Sequence, residues 1–182
     1  TYNEKNLVGG GCGDTSNSRL SEFGKMVVKE MNDLGILIDL SHVGDNTSLD
    51  AINFSKKSVA FTHANARVLC NNPRNKSDSL IKLISSKGGI IGLVPISMFV
   101  TKNETNVKLD SLMNHANYMK KLVGSNYMGF GTDFMEGWTV EEVNSLLEVF
   151  PWEKNKVVNY VNELNSVTKL PNLTTSLMKN GY

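Results

Sequence analysis

Cysteine is scarce in this sequence: Cys12 and Cys70 are the two that occur in 182 residues. One disulfide is then the most the chain can form, which excludes a cysteine-stapled scaffold. A reducing compartment is the default expectation, and no localisation is read beyond it. An excess of charge is lacking as well, with 19 Lys and Arg against 18 Asp and Glu and a formal net charge of +1. That balance gives no electrostatic case for nucleic acid, and no basic run points to an anionic membrane surface. Long apolar runs are also missing. The longest, Gly88 to Val94, is strand-sized and far short of the ~20 residues that span a bilayer. No repeat appears beyond a strand–helix unit, and there is no low-complexity tract. What remains is ordinary globular composition, 40% hydrophobic and 20% charged, at a length that allows one domain with a sizeable core.

The ends are unusual. The chain begins at Thr1 rather than Met and runs almost at once into Gly9-Gly10-Gly11, and it stops at Asn180-Gly181-Tyr182 directly after a helical pattern. Both ends read as cut, and no signal peptide can be read.

Between them the pattern is regular. Residues 3–19 are loop by composition. Leu20, Phe23, Val27, Met31 and Leu34 recur at helical spacing, with Gly35 as the stop. A strand is expected over 36–40, a helix over 46–57 with Leu49, Ile52 and Phe54 inward, and a strand over 58–62. A helix over Asp78–Lys87, a fully apolar strand over Gly89–Val94, a helix over Leu109–Val123 and a strand over Tyr127–Gly131 follow. Thr139–Phe150, Glu153–Leu164 and Thr168–Lys179 read as further helices. The β-α-β-α-β-α-β order means a parallel sheet, either doubly wound or part of a (β/α)8 barrel. Four strands cannot close a barrel, and the ragged ends favour a piece of a longer one, since such barrels run to ~250 residues.

Two of the chain's three histidines, His42 and His63, follow successive strands closely. Parallel strands end at one rim, so the two imidazoles are expected to be neighbours there and suited to a divalent metal. Taken singly, either could be a histidine hydrogen-bonded to a loop. Asp133, after the fourth strand, is a third rim residue, either a helix cap or a base or anchor for a substrate ammonium. Arg74, in Asn72-Pro73-Arg74-Asn75, is either a surface arginine or a carboxylate-binding guanidinium. His115 reads as structural, and both cysteines as packing. Gly9 to Gly11 lack the strand-to-helix context of a nucleotide loop.

The blocks LGILIDLSH, VAFTHANARVLCNNPRN and YMGFGTD resemble the membrane (renal) dipeptidase family of zinc metallopeptidases. The resemblance takes in Ser21–Gly35 and the tail from Leu164 to Tyr182. It implies an α/β fold that is the C-terminal half (about strands 5–8) of a (β/α)8 TIM-type barrel of the amidohydrolase kind. It implies Zn2+ as cofactor, two ions in a complete site, with metal-bound hydroxide attacking the peptide carbonyl of a dipeptide. A C-terminal D-residue is accepted by several members. His42 and His63 match a pair of zinc ligands, Arg74 the arginine that holds the substrate carboxylate, and Asp133 the aspartate that meets the amine and shuttles the proton. Tyr2 stands where mammalian members carry a substrate-contacting histidine. The remaining ligands, a His-X-Asp pair and a bridging glutamate, have no counterpart and are expected in an N-terminal half, which becomes a partner of this chain. Residues 1–182 are then one barrel part with an insertion near 137–162, the family's last helix is missing after Tyr182, and a homodimer is a family expectation. Two other readings stand beside this one: a non-catalytic half-barrel with a structural role, and another amidohydrolase-type activity.

Overall fold

Ser21 ends the opening loop by capping a helix: its hydroxyl accepts from Gly24 N at 2.9 Å, the usual way an N-cap satisfies a free amide. In the computed structural model, which describes residues 1–103, 105–139, 141–143, 145 and 158–182, that helix is α1, Glu22–Asp33. Its buried positions are Gly24, Val28 and Asn32, following Leu20 at helical spacing. The expected face is therefore turned by one residue, and Phe23 and Leu34 are exposed. Gly24 explains the rotation, because a Cβ there would stand 2.3 Å from Val8 O. The helix approaches the loop on the side where it has no side chain.

The expected first strand is reduced to one parallel bridge, Asp39 with Ala60. Leu40 N donates to Ala60 O at 2.8 Å and Ala60 N to Ile38 O at 3.0 Å, while Ile36 N is still bonded back to Met31 O of α1. The strand cannot begin until the chain has left the helix. Next come α2 (Asp45–Phe54) and β1 (Ala60–Phe61), both shorter than the pattern implied. In α2 the inward residues are Thr47, Ser48, Ala51 and Ile52, and Phe54 is exposed. Then follow α3 (Asp78–Ser86), β2 (Ile90–Leu93), a buried single turn α4 (Ser97–Val100) with no sequence signal, and α5. Helix α5 runs Leu109–Val123, as its periodicity predicts. Strand β3 is Met128–Phe130, with Tyr127 drawn into a 3-10 turn before it. The chain closes with a 3-10 turn (Val167–Lys169) and α6 (Leu170–Lys179).

The sheet is parallel with order β1-β2-β3 and register Ala60 to Ile90 and Ile91 to Met128. With the Asp39 bridge on the far side of β1, neighbours in space are neighbours in sequence. Among the described residues the order never reverses, so the switch that defines a doubly wound sheet is not seen. Phe61, Ile91 and Leu93 of the strands join Ile52, Ile81, Ile84, Leu112, Ala116 and Met119 of the helices in one apolar core.

The helix expected over Thr168–Lys179 is present as α6 with its 3-10 lead-in, while one helix reading beyond β3 needs correction. Most of Thr139–Phe150 and the start of Glu153–Leu164 lie outside the described residues, as does most of the insertion near 137–162. The rest of the second stretch, 158–164, is not helical. Ser97 N donates to Asn159 O and Val161 N to Pro95 O, which pairs 159–161 antiparallel with 95–97. Among the described residues no helix is long and apolar enough to cross a membrane.

Candidate active site

Everything chemical follows from where the parallel strands end. His42 stands three residues past the Asp39 bridge and His63 two past Phe61, and their rings meet edge to face with centroids 5.1 Å apart. Asp133 comes three residues after β3, and its Oδ2 lies 3.9 Å from His63 Nε2. The three rim residues picked from the sequence are thus brought together.

The hydrogen bonds around the two rings fix their tautomers. Asp39 is the hub. Its carboxylate accepts from Ser41 N (3.0 Å), Ser41 Oγ (2.6 Å), Thr62 N (3.1 Å) and Thr62 Oγ1 (2.6 Å). With the Thr62 hydroxyl proton committed to Asp39, the 2.8 Å contact between Thr62 Oγ1 and His63 Nδ1 requires the imidazole to donate. His63 therefore carries its proton on Nδ1 and a lone pair on Nε2. Nε2 of His63 is buried with no hydrogen-bond partner among the described residues. His42 arrives at the same state by another route: Nδ1 donates to Asn3 Oδ1 at 2.7 Å, an oxygen that also accepts from the Cys12 thiol at 3.1 Å. Both rings thus leave the lone pair on Nε2, and outer hydrogen bonds of this kind set the orientation of metal-binding histidines.

Electrostatics keep the rings neutral. Burial, then the Arg74 guanidinium and His63, push His42 down to about 2. Burial is also the largest influence lowering His63, with the carboxylates of Asp133 and Asp39 opposing it and Arg74 assisting. For Asp39 burial works against ionisation, and the hydrogen bonds from Ser41 and Thr62 outweigh it, so its carboxyl lies below the usual range. Behind the pair sits Lys76, fully buried, its ammonium donating to Val43 O at 2.8 Å over the Phe61 ring. Burial, then Arg74, drives it down to about 7. A positive floor beneath two imidazoles disfavours imidazolium and leaves metal-ready nitrogens.

Arg74 is not the surface arginine of the alternative reading. It is 3% exposed, packed over the Phe99 ring at 5.0 Å. Its Nε reaches Ser41 O at 3.5 Å and its Nη2 reaches His63 O at 3.4 Å, both at the long limit for a hydrogen bond. Tyr2 stacks on His42, centroids 4.0 Å apart and planes 23° from parallel. His115, as expected, is structural: Nδ1 accepts from Ala66 N and Nε2 meets Val100 O. Neither cysteine is joined in a disulfide.

Two glycines set the depth of the site. A Cβ at Gly131 would lie 1.8 Å from Thr62 O and one at Gly92 1.9 Å, so the end of β1 sinks against its neighbours where no side chain intervenes. Asp133 has φ +53°, a conformation that costs a residue other than glycine about 1–3 kcal/mol. Sequence reasoning missed Asn3, Asp39, Ser41, Thr62, Lys76 and Tyr160. Asp39 and Thr62 had a usable signal, being polar residues at or just past strands that are otherwise apolar.

Two adjacent imidazoles, each engaged at Nδ1, fit a zinc ion, for which neutral histidine is a common ligand. Among the described residues, no group of three or more His, Cys, Asp and Glu side chains converges to complete a site.

The model of the family described as membrane dipeptidase (peptidase family M19) matches residues 1–150. Dipeptidase 3 of Mus musculus is 34% identical over 120 residues, 66% of this chain and 24% of that protein. The Homo sapiens Dipeptidase 3 is 32% identical over the same length. The matched part thus spans about a quarter of these curated relatives. Among solved structures, an amidohydrolase from Pseudomonas aeruginosa is 36% identical with a TM-score of 0.88, covering 100% of this chain and 56% of its own. A metallo peptidase from Rhodobacter sphaeroides, liganded with a phosphinate mimic of the dipeptide L-Ala-D-Ala, shares the fold at 23% identity and a TM-score of 0.74, over 90% of this chain and 42% of its own.

Proposed function

The chain belongs to the membrane dipeptidase family, peptidase family M19, and from that premise we propose that it carries part of the active site of a zinc-dependent dipeptidase. It supplies about strands 5–8 of a (β/α)8 barrel, with an insertion near 137–162 in the sequence. The preceding half of the same barrel supplies the remaining ligands of a two-zinc centre. Zinc, when bound, supplies Lewis-acid polarisation and a water of lowered pKa.

This chain's own residues bind, orient and move protons. His42 and His63 would hold the metal, each ring kept in register by its Nδ1 hydrogen bond. Arg74 binds the C-terminal carboxylate of the dipeptide, for which a guanidinium fork is well shaped. Its buried position lets that charge act in a poorly screened environment. Asp133 meets the substrate amine and carries a proton between the attacking water and the leaving amine. Tyr2 borders the substrate against His42.

One observation carries the reading: Nδ1 of each imidazole is engaged by a protein oxygen, and the buried Nε2 of His63 has no hydrogen-bond partner among the described residues. The test is zinc content and intact mass on one purified, dialysed sample of the full-length protein. Turnover is then measured on a panel of dipeptides, including C-terminal D-residues, with a simple amide and a lactone as controls. About two zinc ions per site and dipeptide turnover that chelation removes and zinc restores are expected. Turnover indifferent to chelation, or none on any dipeptide, would refute the reading.

A further inference from the structure

Tyr160 occupies a place that no motif singled out. It lies in the segment paired antiparallel with the chain just past β2, where Ile96 bridges Tyr160 and the flanking amides of Ser97 and Val161 bond to Asn159 O and Pro95 O at 2.7 and 2.8 Å. From this strap the phenol crosses to the end of β3. Its hydroxyl donates to Asp133 O at 2.6 Å and accepts from Met135 N at 3.2 Å. Its ring packs edge to face on Phe134, centroids 5.3 Å apart. One side chain thus grips three consecutive residues, Asp133 to Met135, beyond the end of β3.

The grip falls where the backbone needs it. Asp133 is held at φ +53°, a conformation that persists in a residue other than glycine when its surroundings impose it. Tyr160 takes hold of the Asp133 carbonyl, so the carboxylate is oriented without being consumed. Burial pushes the phenol up to about 12, and it stays a donor throughout the neutral range.

We propose that Tyr160 is the positioning residue for Asp133, holding its carboxylate opposite His63 and thereby setting how strongly the site selects a substrate with a free α-ammonium group. The proposal rests on the reading of Asp133 as the group that meets the substrate amine. Because the strap is anchored to the end of β2 and the phenol to the end of β3, the selectivity is set by the spacing of two strand ends. It is independent of the ring contacts that hold His42 and His63.

The experiment uses the full-length zinc-loaded protein and two phosphinate dipeptide mimics, identical except that one lacks the amino group. The ratio of their inhibition constants measures amine selectivity, and it is read from the folded fraction alone. Tyr160→Phe is expected to lower this ratio about tenfold, the loss of roughly one hydrogen bond's worth of orientation, with zinc content unchanged. Tyr160→His, which restores a ring N–H, is expected to recover part of the ratio and serves if the Phe variant does not fold. Asp133→Asn is the reference for complete loss. A Tyr160→Phe ratio equal to that of the unsubstituted protein, alongside collapse in Asp133→Asn, would overturn the proposal and leave the dipeptidase reading standing. An unchanged ratio in Asp133→Asn would overturn the role of Asp133 itself, and the proposal with it.

Discussion

The two sides of the rim are held in opposite ways. On one side His42 and His63 are fixed through their own side-chain atoms by Asn3, Thr62 and, behind Thr62, Asp39. On the other, Asp133 is fixed through its backbone by Tyr160, from a strap that returns 27 residues later. The first arrangement suits a metal ligand, whose ring orientation and proton position must both be set. The second suits a group that meets substrate, because a carboxylate tied down by protein donors would have less to offer an incoming ammonium. Where rigidity is needed the side chain is bound; where reactivity is needed the backbone is bound instead.

The comparison can be broken most severely at the histidine side. His63→Ala removes one of two adjacent imidazoles and is expected to abolish dipeptide turnover and lower bound zinc. Near-normal turnover with full zinc content would end the metal-ligand assignment. Asp39→Asn tests whether the hub matters rather than the ring. An amide places an N–H₂ group among four donors, so zinc affinity is expected to fall about 10–100-fold, as read by chelator competition. Unchanged affinity would mean that the ring needs no outer support. Arg74→Ala addresses the floor shared by both strand ends. It is expected to raise KM for dipeptides several-fold with a smaller loss in kcat, the pattern of lost ground-state binding. Identical steady-state kinetics would refute its carboxylate role.

The smallest effect separates electrostatics from packing. The folded-state pKa of Asp39 is depressed by its hydrogen bonds, so its contribution to stability is fully present above the unfolded value of about 3.9. That contribution is lost as pH falls from there through the lower folded value. Thermal melts of the zinc-free protein are expected to show this acid-side loss, and Asp39→Asn to lack that part of it. Parallel melting curves for the two proteins below pH 4 would show that the network holds geometry without storing stability.

Legibility in the sequence followed the same divide. The histidine side could be read because a strand-end histidine is a local signal: DLSH and FTH each place the ring a fixed distance after a short apolar run. Helix α5 was readable to its last residue, since Leu112, Met113, Ala116 and Met119 repeat along one face that packs on the sheet. Tyr160 was unreadable. Its neighbourhood carries a helical pattern, and pairing with 95–97 overrides it, a long-range contact that no window of sequence contains. Asn3 was hidden for the same reason, 39 residues from the ring it orients. The roles of Tyr2 and Arg74 came from the family resemblance, and the burial of Arg74 beneath the strand ends had no local signal. The turned face of α1 came from Gly24, whose missing side chain has no hydropathy to register.

The unreversed strand order has a consequence in time. His42 and His63 are 21 residues apart with one crossover between them, while Asp133 lies 70 residues further on. Closing the longer loop costs only about 1 kcal/mol more, so thermodynamics barely ranks the two steps. Synthesis does. At about 5–20 residues per second, a ribosome delivers His63 several seconds before it delivers Asp133, and Tyr160 later again. The corner built around His42 and His63 is thus complete in sequence while the corner built around Asp133 has yet to be translated.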